Sequence, residues 1–98
     1  MAHNPWTQSE LEVIVEAYSE AQDRTKQGEN VKLTLFLKPL AARLGRTQKA
    51  CSHQFTHVSC VLVEMGLPWL QNSKPKDDAL SKSSKAVIRL IIENQMSS

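Results

Sequence analysis

The sequence predicts an all-α protein, a single domain of four helices over about 7–26, 35–44, 47–65 and 78–94, containing a helix-turn-helix-like unit. Three observations carry that prediction. A helix-capping signature stands at Thr7-Gln8-Ser9-Glu10, apolar residues recur at three- and four-residue intervals through most of the remaining chain, and the one alternating stretch has no second strand to pair with. A chain of 98 residues supplies one hydrophobic core and not two, so residues 1–98 form one domain. Hydrophobic residues at 41% and charged residues at 22% are the balance of a globular chain rather than a disordered or fibrous one.

In the first helix Thr7 is the N-cap: its hydroxyl and the Glu10 carboxylate satisfy each other's orphan backbone donors. Trp6 before the cap and Leu11 in the first turn have the spacing of a hydrophobic staple. Leu11, Ile14, Val15, Tyr18 and Ala21 form one apolar stripe, which fades before Gly28. Residues 28–33 are polar and mixed and read as a loop. Leu33, Leu35 and Leu37 alternate as in a strand, but Leu40 to Leu44 followed by Gly45 reads as a short helix with a glycine stop. A helix over 35–44 is therefore expected, with Pro39 near its first turn or kinking it.

Thr47 caps the third helix and Gly66-Leu67-Pro68 closes it. Between them Cys51, Phe55, Val58, Leu62 and Met65 fall within about 80° of arc, a buried stripe. Roughly opposite lie Arg46, Lys49, His53, Thr56, His57 and Cys60, which the same geometry places on an exposed, mildly basic face. After a turn-rich connector over 71–78, Leu80, Val87, Ile88, Leu90, Ile91 and Ile92 support a last helix. Its apolar surface is wider than one core contact needs, which opens the prospect of a homodimer through this helix.

Apolar runs of three or four residues fall far short of the roughly 20 a membrane span requires, so no membrane crossing is expected. The N-terminus lacks the basic start and apolar stretch of a secretory signal, which points to the cytoplasm. Cys51 and Cys60 are separated by about 13 Å of helical rise, too far for a disulfide, and read as free, small core fillers.

Charge is unevenly distributed although the total is only +2. Residues 1–23 carry Glu10, Glu12, Glu16, Glu20 and Asp23 and no Lys or Arg, a net −5. Residues 24–49 carry Arg24, Lys26, Lys32, Lys38, Arg43, Arg46 and Lys49 against Glu29, a net +6. Such a basic middle suits a polyanion, and it equally suits the acidic first helix folded back against it.

His53, His57 and Cys60 stand at i, i+4 and i+7, a spacing from which three metal ligands can converge. Gln54 occupies the place of the glutamate base of a metalloprotease helix, and His3 is the only further histidine, so no metal is expected. Cys60 beside His57 lacks an oxyanion site, and three glycines make no phosphate loop, so neither a catalytic residue nor a cofactor is assigned. A short helix, the turn Gly45-Arg46-Thr47 and a longer helix with donors and acceptors on one face are the parts of a helix-turn-helix. Arg43, Arg46 and Lys49 are the candidate phosphate or guanine contacts, and His53, Thr56 and His57 the candidate base contacts, to double-stranded DNA.

Asn4-Pro5-Trp6-Thr7-x-x-Glu10-Leu11, Leu44-Gly45-Arg46-Thr47, His53-Gln54, Val61-Leu62-x-x-Met65-Gly66-Leu67-Pro68 and Lys74-Pro75 resemble the helical N-terminal module found ahead of HNH and related nuclease domains in restriction-type endonucleases. The opening and central turn are also similar, more distantly, to Myb/SANT-type DNA-binding domains. The resemblance runs from residue 4 to about 92. Phe55 follows the His-Gln pair where that family has Asn, and Asn72-Ser73-Lys74 replaces a connector richer in glycine and aromatics. With no HNH metal cluster before Ser98, the resemblance implies a free-standing DNA-recognition module without cutting activity. The competing expectation is a protein-interaction or self-associating module that uses the last helix and Trp69.

Overall fold

The computed structural model describes residues 5–75 and 82–97, without the side chains of 82 and 83. Within them the chain forms α1 (Gln8–Lys26), α2 (Thr34–Leu44), α3 (Gln48–Glu64) and α4 (Lys82–Ser97) and no strand. Asn4, His3, the expected helix start near Asp78, and Leu80 lie outside the described residues.

Each helix boundary follows from local chemistry. The Thr7 hydroxyl accepts from the Glu10 amide at 3.1 Å and the Glu10 carboxylate accepts from the Thr7 amide at 3.0 Å, so the capping box is complete. The α2 helix ends on Gly45 in the left-handed conformation, φ 65°, which lets the Arg46 amide reach back to the Ala41 carbonyl at 3.0 Å. Thr47 then caps α3 by accepting from the Ala50 amide at 3.0 Å. At the far end of α3, Gly66 (φ 72°) and Leu67 donate to the Val63 and Leu62 carbonyls, so the chain turns away at Pro68. Pro39 lies inside α2, beyond its first turn. The carbonyl it leaves without an intrahelical donor belongs to Leu35, on the solvent side of the helix, where the loss costs least.

Helices α1 and α3 pack on each other and each touches both remaining helices, so α2 and α4 flank a central pair. The α1 stripe of Leu11, Ile14, Val15, Tyr18 and Ala21 is buried as its spacing predicts, and so are Cys51, Phe55, Val58 and Leu62 of α3; Met65 is half-buried. Val31 is also buried, inside the stretch that reads as a polar loop, and its carbonyl accepts from Asn72 Nδ2 at 2.8 Å. In α4, Ile88, Ile91 and Ile92 belong to this chain's own core, Val87 and Trp69 pack against it, and Leu90 stands exposed among Arg89 and Glu93. The apolar excess of α4 is thus largely internal. Among the described residues no helix is long and apolar enough to cross a membrane.

Tyr18 joins α1, α3 and the segment after α3. Its ring meets Phe55 edge-on at 5.3 Å, its hydroxyl shares a 2.7 Å hydrogen bond with Ser59 Oγ, and it accepts from the Leu70 amide at 2.7 Å. Burial pushes the phenol pKa up. Tyr18→Phe keeps the ring and strands two buried groups, and should cost about 1 to 2 kcal/mol in urea unfolding. A neutral substitution would show that Ser59 and Leu70 find other partners.

Candidate nucleic-acid interface

The three-residue turn Gly45-Arg46-Thr47 joins α2 to α3, and the residues of interest radiate from it. Lys49 and His53 are exposed, and Ser52 and Thr56 beside them are partly so. These four stand at i, i+3, i+4 and i+7 and form one open face over the N-terminal half of α3. Lys38 and Arg43 are exposed on α2. Residues 30–63 contain no Asp or Glu, so this stretch of the chain carries bases only. Among the described residues no carboxylate forms an ion pair with Lys38, Arg43 or Lys49.

The expected exposed face of α3 needs correction at three places. His57 is only 9% exposed and its Nδ1 lies 2.9 Å from Gln54 Oε1. Gln54 in turn reaches Ser84 Oγ of α4 at 3.5 Å, which shows what covers this side of α3. Cys60 is buried as well, beside a pocket bounded by Val63, Glu64, Pro75 and Lys85. His53 is exposed while His57 and Cys60 are buried, and among the described residues no three His, Cys, Asp or Glu side chains are placed to hold a metal. His57 is therefore withdrawn as a surface contact.

The third correction is Arg46, which points inward. Its Nε donates to Glu10 Oε2 at 2.7 Å and its Nη2 to Glu10 Oε1 at 2.9 Å and to the Pro5 carbonyl at 3.1 Å. The guanidinium also stacks on Trp6, 4.1 Å from the ring centroid. Only 17% of the Arg46 side chain and 19% of the Glu10 side chain remain exposed. Arg46 holds the Glu10 carboxyl down at about 2, and Glu10 raises Arg46 in return. Burial pushes the Cys51 thiol up, which keeps it protonated behind this pair.

The basic middle is thus paired in part with acids of the first helix. Glu10 takes Arg46, and Glu20 pairs with Arg24 at 3.1 Å. Lys38, Arg43 and Lys49 keep an exposed, unneutralised positive surface. Sequence reasoning missed the role of Arg46 because its partner lies 36 residues away. The one signal was the Trp6 and Glu10 pair beside the first cap, which leaves one face of a carboxylate open to a cation. Comparison with known protein families, with characterised proteins and with solved structures finds no match to this chain.

Proposed function

We propose that this chain is a non-catalytic DNA-binding module that uses the open face of α2 and the first half of α3. The observation that carries the proposal is the exposed Lys49 and His53 with the partly exposed Ser52 and Thr56 beside them, at the start of a helix that succeeds a three-residue turn, in a stretch without acids. Lys38, Arg43 and Lys49 hold phosphates, and His53 and Thr56 offer donors and acceptors to base edges in the major groove. Arg46 acts as a positioning residue: it clamps the turn to the start of α1 and so fixes the direction in which α3 leaves. The resemblance to nuclease-associated helical modules supports the same reading from the sequence side. Self-association through α4 draws little support, since Ile88, Ile91 and Ile92 are already covered within one chain.

Three phosphate contacts give a log–log salt slope of roughly −2.7 for duplex DNA, and so weak, strongly salt-dependent binding. Fluorescence anisotropy with a labelled duplex about two helical turns long should show this slope. Lys49→Ala and Arg43→Ala should each make it shallower by about one unit, whereas His53→Ala should alter sequence preference at unchanged slope. Absence of binding to any duplex at low ionic strength overturns the proposal.

A further inference from the structure

The solvent face of α2 carries a second kind of surface. Leu35, Pro39 and Ala42 stand at i, i+4 and i+7 and all are exposed, Leu35 at 69%. At about 100° per residue they fill the middle of the exposed arc, with Lys38 at one edge and Arg43 at the other. Beside Leu35 and Pro39, a groove of about 310 Å³ opens between α1 and α2, floored by Ala17, Phe36 and Leu40. Arg24 stands at its rim, with its guanidinium 5.4 Å from the centre of the Phe36 ring. Glu20 on the same rim is neutralised by Arg24, which leaves Arg43 as the uncompensated charge.

We infer that this face docks an acidic amphipathic helix of a partner protein. The apolar stripe runs for about 10 Å, two helical turns, and so matches the i, i+4, i+7 anchors of a helix laid along it. A base on either side calls for acids flanking those anchors, and a groove accepts one large anchor between α1 and α2. An anionic lipid surface suits the face less. Its one large protruding side chain is Leu35, and the exposed acids Glu12 and Glu16 continue along α1 from Glu20. Head-to-tail pairing with a second copy suits it less again, because the acidic face of α1 has no exposed large hydrophobic residue to serve as an anchor.

The surface shares Lys38 and Arg43 with the proposed DNA contacts, so variants that avoid both bases divide the two. The probes are a labelled designed helix with leucines at i, i+4 and i+7 flanked by glutamates, the same helix with lysines for the glutamates, and vesicles of phosphatidylserine and phosphatidylcholine. The glutamate helix should bind at least about tenfold better than the lysine helix, and more weakly as salt rises. Leu35→Asp and Ala42→Glu, both at exposed positions, should each weaken it at least about tenfold, while Lys49→Ala leaves it unchanged. Equal binding of the two helices, indifference to both α2 substitutions, or vesicle binding without helix binding overturns the inference. Loss of DNA binding in Lys49→Ala with helix binding intact bears on the other proposal alone.

Discussion

Phe55→Ala is expected to cost about 3 to 5 kcal/mol and to shift the urea midpoint sharply downward. Phe55 is fully buried at the middle of α3, the helix that touches all three others, and its ring meets Tyr18 of α1 edge-on. Removing the ring withdraws the partner of Tyr18 and opens a void that Cys51 and Val58, one turn away on either side, cannot fill without shifting the helix. A domain of this length has roughly 5 to 15 kcal/mol of stability in all, so the substitution takes a large fraction of it. Urea unfolding followed by circular dichroism measures the loss, and Phe55→Leu, which keeps most of the volume, should recover more than half. A cost below about 1.5 kcal/mol would mean that the core closes around the site and that Phe55 is not the hub between α1 and α3.

The elements of this fold are legible because each is specified locally. Thr7 with Glu10, Thr47 with Ala50, and the glycines after α2 and α3 mark their boundaries through bonds between residues a few positions apart. The stripe from Cys51 to Leu62 is legible for the same reason. The inference that fails is the one from an apolar stripe to an exposed opposite face. It supposes one buried side per helix, whereas α3 has three neighbours, and Gln54, His57, Ser59 and Cys60 are enclosed beside the stripe. These side chains tolerate burial because they serve one another or a neighbour: Gln54 meets His57, and Ser59 meets Tyr18. Their small size at Ser59 and Cys60 is a weak trace of that packing in the sequence. The long-range pairing of Arg46 with Glu10 leaves a trace weaker still, an acidic block and a basic block whose contact no periodicity can assign.

Arg46→Ala separates a structural from a DNA-contacting role for this residue, and the structure predicts a loss of stability of about 2 to 3 kcal/mol. The substitution removes two hydrogen bonds to Glu10, one to the Pro5 carbonyl and the stacking on Trp6, at a site mostly shielded from water. The pH dependence identifies the cause. The Glu10 carboxyl is held at about 2 instead of 4.5, so its contribution to stability is fully present above about pH 4.5 and is lost as pH falls toward 2. In Arg46→Ala most of that dependence should vanish, and Glu10→Gln should remove it in the parent chain and add little to the Arg46 variant. Arg46→Lys should recover only part of the loss, since an ammonium cannot span both carboxylate oxygens while stacked on the indole. Were Arg46 a phosphate contact instead, Arg46→Ala would leave the unfolding curve unchanged at every pH and make the salt slope of DNA binding shallower by about one unit.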